Sequence, residues 1–196
     1  MNARVVIVAA ALNLAALMSV DGGVTAAAAS LVLGEAETRE ALAVGEQTAN
    51  ADVFDTEWRV KNAAGESVSV MTPFHRLVLA SRQATHKNQP LKPDEPQKLL
   101  REQRDRLVVW VELRGSREDF ARFYQPALVA GDRTIKAAFV QNERTALRED
   151  SGRYLARCVY AFPTKEITGK SRVTLVVRDG DGRPASAFTI DLSTMR

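Results

Sequence analysis

Arginines and aromatic side chains lie close together near the middle of the 196-residue chain. Arg114, Arg117 and Arg122 closely precede Phe123 and Tyr124 in sequence. Guanidinium groups bind anions through paired hydrogen bonds, and aromatic faces attract cations. This cluster is therefore a candidate contact for an anionic or sugar-like ligand, or for a partner protein. The competing interpretation is a helical turn whose rings close one end of the core while the arginines face water.

Other residue types that carry out chemistry are sparse. His75 and His86 fall on one predicted helix, where their separation would be about 16 Å, too far to share a metal ion. Cys158 is the single cysteine, and its strand position faces the predicted core, so we interpret it as structural rather than nucleophilic. Motifs for serine hydrolysis, phosphate binding and dinucleotide binding are absent from the sequence. The sequence predicts no catalytic residue, no metal site and no cofactor.

One acidic loop resembles the start of a calcium-binding loop. Asp179 and Asp181 alternate with glycines, but Arg183 and Ile190 occupy the fifth and twelfth positions, where calcium requires oxygen ligands. We therefore predict a tight turn between two strands at this position.

The composition is that of an ordinary folded domain. Apolar residues make up 45% and charged residues 26% of the chain, enough to form a core. The formal net charge is +3, and the 27 basic and 24 acidic residues are spread along the chain. Nucleic-acid-binding proteins need clustered basic residues, so we predict no nucleic-acid partner.

The first 29 residues have the pattern of an export signal. Arg4 precedes an uncharged, almost wholly apolar run at residues 5–20, and small residues follow at 24–30. The apolar run is short for a spanning helix, and there is no cysteine at the cleavage region to carry a lipid. We predict a cleaved signal peptide at residues 1–29 and a periplasmic or secreted chain that is not an integral membrane protein. An uncleaved membrane anchor is the alternative.

The remaining chain divides by pattern into a leader and a domain. Residues 30–55 form a helical or flexible leader, in which small residues predict a helix that docks loosely or not at all. Residues 56–196 form a single sheet-rich domain. It begins with short strands at 57–62 and 67–71 and carries a helical insertion at about 73–104. Thr72 and Asp94 are the predicted N-caps of the two inserted helices.

Apolar alternation predicts the later strands. Residues 107–113 are the most apolar run, with both faces apolar for most of their length, so we expect a central strand. Hairpins are predicted across Gly131 and across residues 179–182. The fold class is therefore α+β, mostly β, an antiparallel sandwich with two or three helices in the N-terminal half.

The strand that contains Tyr154 and Cys158 has a further feature. The sequence D-S-G-R-Y at residues 150–154 resembles the lead-in to the sixth strand of immunoglobulin-like domains. The resemblance covers residues 147–156 and implies a β-sandwich in which the Tyr154 hydroxyl bonds back to the preceding corner. Ala156 replaces the family's cysteine, so the inter-sheet disulfide is absent. Another α+β arrangement with a C-terminal antiparallel meander fits the same residues.

These observations lead to three functional expectations. The first is an exported, non-catalytic binding or structural module of the bacterial cell envelope, whose partner is another envelope protein. The second is an enzyme acting on an envelope polymer through carboxylates that meet only in three dimensions. The third is a binder of anionic lipid or polysaccharide (an anionic glycan) whose affinity falls with salt.

Overall fold

Two antiparallel sheets and three helices make up residues 29–196, the part of the chain that a computed structural model describes. The predicted signal peptide lies outside these described residues except for Ala29. The α+β, mostly β class is confirmed, and all three helices lie in the N-terminal half. Side chains from both sheets contribute to the buried core.

The helices are α1 Glu35–Gln47, α2 Pro73–His86 and α3 Glu95–Glu102. The strands, in chain order, are β1 Arg59–Lys61, β2 Ser67–Met71, β3 Arg106–Gly115, β4 Gln125–Ala130, β5 Arg133–Lys136, β6 Phe139–Gln141, β7 Leu147–Arg148, β8 Tyr154–Pro163, β9 Arg172–Arg178 and β10 Pro184–Asp191. The first sheet has the order β1-β2-β3-β8-β6, with β7 also paired to β8. The second sheet has the order β10-β9-β4-β5.

Strand β3 is central in the first sheet, as predicted, because β2 and β8 flank it. Its odd-numbered residues from Leu107 to Leu113 are buried in the core. The even-numbered residues face outward, and Trp110 is 49% exposed. The outward face of this strand therefore includes apolar side chains that remain partly open to solvent.

Strand β8 has the predicted alternation. Ala156, Cys158, Tyr160 and Phe162 are buried on one face. Tyr154 is half-buried against the core, but its hydroxyl makes no hydrogen bond to any residue in the range 29–196. The tyrosine-corner bond implied by the immunoglobulin resemblance is thus not found.

The connections also differ from those of an immunoglobulin domain. In such domains the sixth and seventh strands are neighbours in one sheet. Here β8 lies in the first sheet and β9 lies in the second. The immunoglobulin-like fold is not confirmed, whereas the two-sheet, mostly β architecture is.

Helix α1 packs tightly on α2. Ala41 is fully buried, and a Cβ atom added at Gly45 would lie 2.5 Å from the Cβ of Ser81. The Ser81 hydroxyl donates to the Leu42 carbonyl at 2.7 Å. The expectation of a loosely docked leader helix is wrong, because its small side chains permit close helix approach rather than signal weak packing.

Residues close in sequence determine several helix N-termini and hairpin turns. The Thr72 hydroxyl accepts a hydrogen bond from the His75 backbone N–H at 3.0 Å, which confirms the cap of α2. Asp94 precedes α3 but its side chain makes no cap bond. The Glu95 carboxylate instead accepts from the Lys92 backbone N–H at 2.7 Å. Both predicted hairpins are present, as β4–β5 and β9–β10.

Candidate binding groove

A groove lies between α2 and α3 and continues over the outer face of the first sheet; we call it the α2–α3 groove. Its main cavity has a volume of about 830 Å³, and an adjoining cavity measures about 260 Å³. Four residues line both cavities: Arg76, Leu99, Glu102 and Trp110. The main cavity falls within the size range of small-molecule sites, roughly 300–1,000 Å³.

Residues at helical spacing on α2 and α3 form the walls of the groove. On α2, residues spaced three or four apart face the groove, while Leu77, Val78 and Ser81 face the core and are buried. On α3 the spacing is the same. The wall residues from the two helices are Arg76, Leu79, Ala80, Gln83, Ala84, Glu95, Lys98, Leu99 and Glu102. The connecting loop contributes Lys87, Gln89, Pro90, Leu91 and Lys92.

The floor comes from outward-facing positions of the first sheet. Trp110 pairs with Val159 of β8, and Val108 pairs with Ala161 in the same ladder. Phe139 on the edge strand β6 is opposite Ala161 and is 50% exposed. Gln103, which follows α3, donates from its amide to the Met71 carbonyl and fixes the end of α3 against the sheet. Half-exposed aromatic rings at the base of a concave surface are typical of a contact site.

The groove has an excess of positive charge. Its lining holds five basic side chains against two acidic ones: Arg76, Lys87, Lys92, Lys98 and Arg106 against Glu95 and Glu102. Within residues 29–196, none of these seven side chains forms an ion pair within 4.0 Å. Two of them make hydrogen bonds to the backbone, Glu95 to the Lys92 N–H and Arg106 to the Glu102 carbonyl, and the charges of the others are available to a ligand.

The members of the predicted arginine–aromatic cluster differ in their surroundings. Arg114 makes a two-point ion pair with Glu149, with nitrogen–oxygen distances of 3.1 and 3.0 Å, and also donates to the Gly65 carbonyl at 2.7 Å. The hydrogen bond to Glu149 raises the pKa of Arg114 above its ordinary value. Arg114 thus serves the fold at this position.

The rest of the cluster is more open. Arg117 is exposed and lies 3.8 Å from Asp119. The Arg122 guanidinium lies 5.3 Å from the centre of the Phe123 ring, and Phe123 is 67% exposed. Tyr124 packs against the core, where burial raises the pKa of its hydroxyl. The predicted ligand contact at this cluster remains a prediction, centred on Arg122 and Phe123.

The candidate nucleophile and the histidines lie elsewhere. Cys158 is buried, and burial raises the pKa of its thiol. His75 is also buried, stacked on Trp58 with ring centres 4.2 Å apart, and its Nδ1 lies 2.9 Å from the Val70 carbonyl oxygen. Burial lowers the pKa of His75 to about 4. His86, the last residue of α2, is exposed.

Potential metal ligands are dispersed over residues 29–196. No group of three or more His, Cys, Asp or Glu side chains in this range could hold a metal ion. Within the same range, no helix has the length and apolar character needed to cross a bilayer.

Sequence reasoning missed the groove because its lining comes from residues spread between 71 and 161. One signal was present at Trp110, an even-numbered position like Glu112 and Arg114, whereas Leu107 and Leu113 are odd-numbered. Because side chains alternate along a strand, the indole lies on the same face as these charged residues. The helix faces that complete the groove emerge only when α2 and α3 are placed over the sheet.

Comparisons with known proteins give little further guidance. No protein-family model matches the chain, and no curated protein matches it. A solved structure from Burkholderia pseudomallei K96243, described as a novel protein of unknown function, aligns with a TM-score of 0.43 at 10% identity. The alignment covers 83% of this chain and 92% of that one. A likeness at this level carries no argument about function.

Proposed function

We propose that the protein is an exported, non-catalytic binding module of the bacterial cell envelope, and that the α2–α3 groove binds an anionic ligand with an apolar body. The export signal pattern at residues 1–29 supports the location. The observation that carries the binding role is Trp110, half-exposed at the floor of a concave surface and surrounded by basic side chains that form no ion pair within residues 29–196.

The lining favours binding over catalysis. Apolar contact provides most of the affinity in such pockets, and a few charged groups set orientation and specificity. Of the two groove carboxylates, Glu95 already accepts a backbone hydrogen bond from Lys92. The enzyme alternative therefore has little support in this groove.

The location is tested at the mature N-terminus. Mass spectrometry of the protein from the envelope fraction should show a chain that begins near residue 30. An intact Met1 in that fraction would contradict the cleaved signal.

The binding role is tested with envelope extract and two aromatic variants. Purified protein is incubated with the extract, and bound molecules are identified by native mass spectrometry. We expect a bound species that is lost in Trp110→Ala and kept in Phe123→Ala, the matched control in which an exposed aromatic residue outside the groove is removed. Because Trp110 is half-exposed, we expect Trp110→Ala to lower the free energy of unfolding by about 1 kcal/mol at most.

Two results would count against the groove. Loss of the bound species in Phe123→Ala but not in Trp110→Ala would move the binding role to the arginine–aromatic cluster. Absence of any bound species would remove support for a binding module.

A further inference from the structure

We infer that the ligand of the α2–α3 groove is a single-chain anionic amphiphile, with an unbranched hydrocarbon tail along the helices and an anionic head at Arg76. This inference rests on the binding role proposed for the groove. The head is a carboxylate or a phosphate, two groups that a guanidinium recognises in the same way.

The aliphatic lining favours a hydrocarbon tail. Leu79, Ala80, Ala84, Leu91 and Leu99 are half-buried side chains of the main cavity that carry no polar side-chain atom. The alanines leave room along α2, where larger residues would fill the space between the helices. The rest of the lining is polar or charged, but these aliphatic side chains form a stretch that offers a sugar no donors or acceptors and offers a hydrocarbon tail apolar contact.

The length of the groove fits an extended hydrocarbon chain. Groove residues on α2 run from Arg76 to Ala84, and the lining continues to Lys87, a rise of about 16 Å along the helix. An extended dodecyl chain is of similar length. The open cavity of about 830 Å³ therefore has the length for such a tail and leaves room for a head group beside it.

Arg76 is the best placed group for the head. It lines both cavities and is half-buried, and within residues 29–196 its side chain makes no hydrogen bond or ion pair. A partly desolvated, unpaired guanidinium binds an anion more strongly than an exposed one does. The neighbouring Arg106 lines the adjoining cavity and adds to the positive field.

The negative charge of Glu102 disfavours an anionic head at Arg76. Glu102 therefore allows the sign of the ligand's charge to be tested. It lines both cavities beside Arg76 without an ion pair among the described residues. Its negative charge repels an anionic head and attracts a cationic one. Removing that charge should therefore change the two affinities in opposite directions.

The first experiment measures binding through tryptophan fluorescence. The purified protein is titrated with dodecanoate below its micelle-forming concentration. Trp58 is buried and Trp110 is half-exposed, so a saturable change that disappears in Trp110→Phe places the ligand at the groove. Decanoate should bind about tenfold more weakly, because it lacks two methylene groups. Dodecyltrimethylammonium, with the same tail and opposite charge, should bind at least about tenfold more weakly.

The second experiment uses charge variants. Arg76→Gln should weaken dodecanoate binding by about tenfold. Arg101→Gln is the matched control, because Arg101 is an exposed residue of α3 that does not line the groove. Glu102→Gln should strengthen dodecanoate binding and weaken binding of the cationic amphiphile. Dodecyl phosphate distinguishes the two heads: binding of either anion supports the inference, and the tighter one identifies the head group.

Three outcomes would overturn the inference. They are equal binding of the anionic and cationic amphiphiles, equal effects of Arg76→Gln and Arg101→Gln, and absence of dodecyl-anion binding at the groove. If an extract species still depends on Trp110 in the last case, only the amphiphile assignment fails and the binding role stands. If no extract species depends on Trp110, the binding role fails as well.

Discussion

The outer face of the first sheet has two ends of opposite character. At the end next to the helices, Trp110 and Phe139 are half-exposed and form the floor of the α2–α3 groove. At the other end, strands β2, β3 and β8 present Ser67, Glu112 and Arg157: the Ser67 hydroxyl donates to Glu112 at 3.0 Å, and Arg157 lies 3.8 Å from the Glu112 carboxylate. One end satisfies its polar groups within the chain, and the other leaves apolar and charged groups open.

A buried carboxylate completes the polar end. Glu66 accepts hydrogen bonds from the Asn62 amide at 2.8 Å, from the Ser186 hydroxyl and from the Arg114 backbone N–H at 3.0 Å. It thereby joins the β1–β2 turn to β3 and to β10 of the second sheet. The comparison teaches that charged residues alone do not mark a binding surface; the informative ones lack a partner within the chain.

The largest expected effect on stability comes from removing the Glu66 carboxylate at the polar end. Glu66→Ala should lower the free energy of unfolding by about 3 kcal/mol, because several donors lose their acceptor in a buried setting. Urea denaturation measures this change. Glu66→Gln, which keeps the shape and part of the bonding, should cost less. Dodecanoate binding by folded Glu66→Ala should be unchanged, and a loss of less than about 1 kcal/mol would contradict the structural role of this carboxylate.

Low pH should destabilise the fold at the end of the sheet next to the helices, through protonation of His75, which precedes Arg76 on α2. The folded pKa is about 4, below the unfolded value of about 6.5. Between these values the unfolded chain binds a proton that the folded chain does not, so stability falls as the pH decreases below 6.5. The expected loss from this residue is about 2 kcal/mol at pH 5.

Urea denaturation across pH 4–7 measures this dependence. The charged groups that act on the imidazole are Asp55, which favours its protonation, and Arg59, which opposes it. His75→Gln, whose amide can still donate to the Val70 carbonyl, should lose this part of the pH dependence. The same pH slope in the variant and the native protein would contradict the assignment.

A smaller effect is expected at Arg114. Arg114→Met removes the two-point ion pair with Glu149 and should lower the free energy of unfolding by about 1 kcal/mol, since both side chains are partly exposed. Arg117→Met is the matched control and should leave stability unchanged, because Arg117 is exposed and its contact to Asp119 is long. Equal effects of the two substitutions in urea denaturation would show that the Glu149 pair does not stabilise the polar end.

The smallest effect is expected at Tyr154. Its hydroxyl makes no hydrogen bond within residues 29–196, so Tyr154→Phe should change the free energy of unfolding by less than about 0.5 kcal/mol. Tyr160→Phe provides the contrast, because the Tyr160 hydroxyl donates to Asn142 at 3.0 Å and its loss should cost about 1 kcal/mol. A melting midpoint that falls with Tyr154→Phe would favour the immunoglobulin-type corner.

Features set by neighbouring residues were predictable from the sequence. Alternation predicted the buried face of β8 with Cys158, and turn chemistry predicted the hairpins β4–β5 and β9–β10. The Thr72 cap followed from the residue type and the proline after it. Each of these depends on contacts within a few residues.

Features set by distant residues were not predictable in this way. Residues 139–141 continue an apolar pattern from β5, yet they leave the second sheet and pair with β8 in the first. The close docking of α1 depends on Ser81, which is far along the chain from Gly45. The groove required α2, α3 and the sheet to be placed together, and the cluster around Phe123 drew attention because its members are adjacent in sequence.

The pairing of β3 with β8 has a consequence for how the chain folds during synthesis. All ten residues of β3 pair with β8, and the partners are roughly 40 to 60 residues apart in sequence, a separation that slows folding. The central ladder of the first sheet cannot close until residue 163 has left the ribosome. An unfinished chain therefore lacks the central ladder of the first sheet for most of its translation.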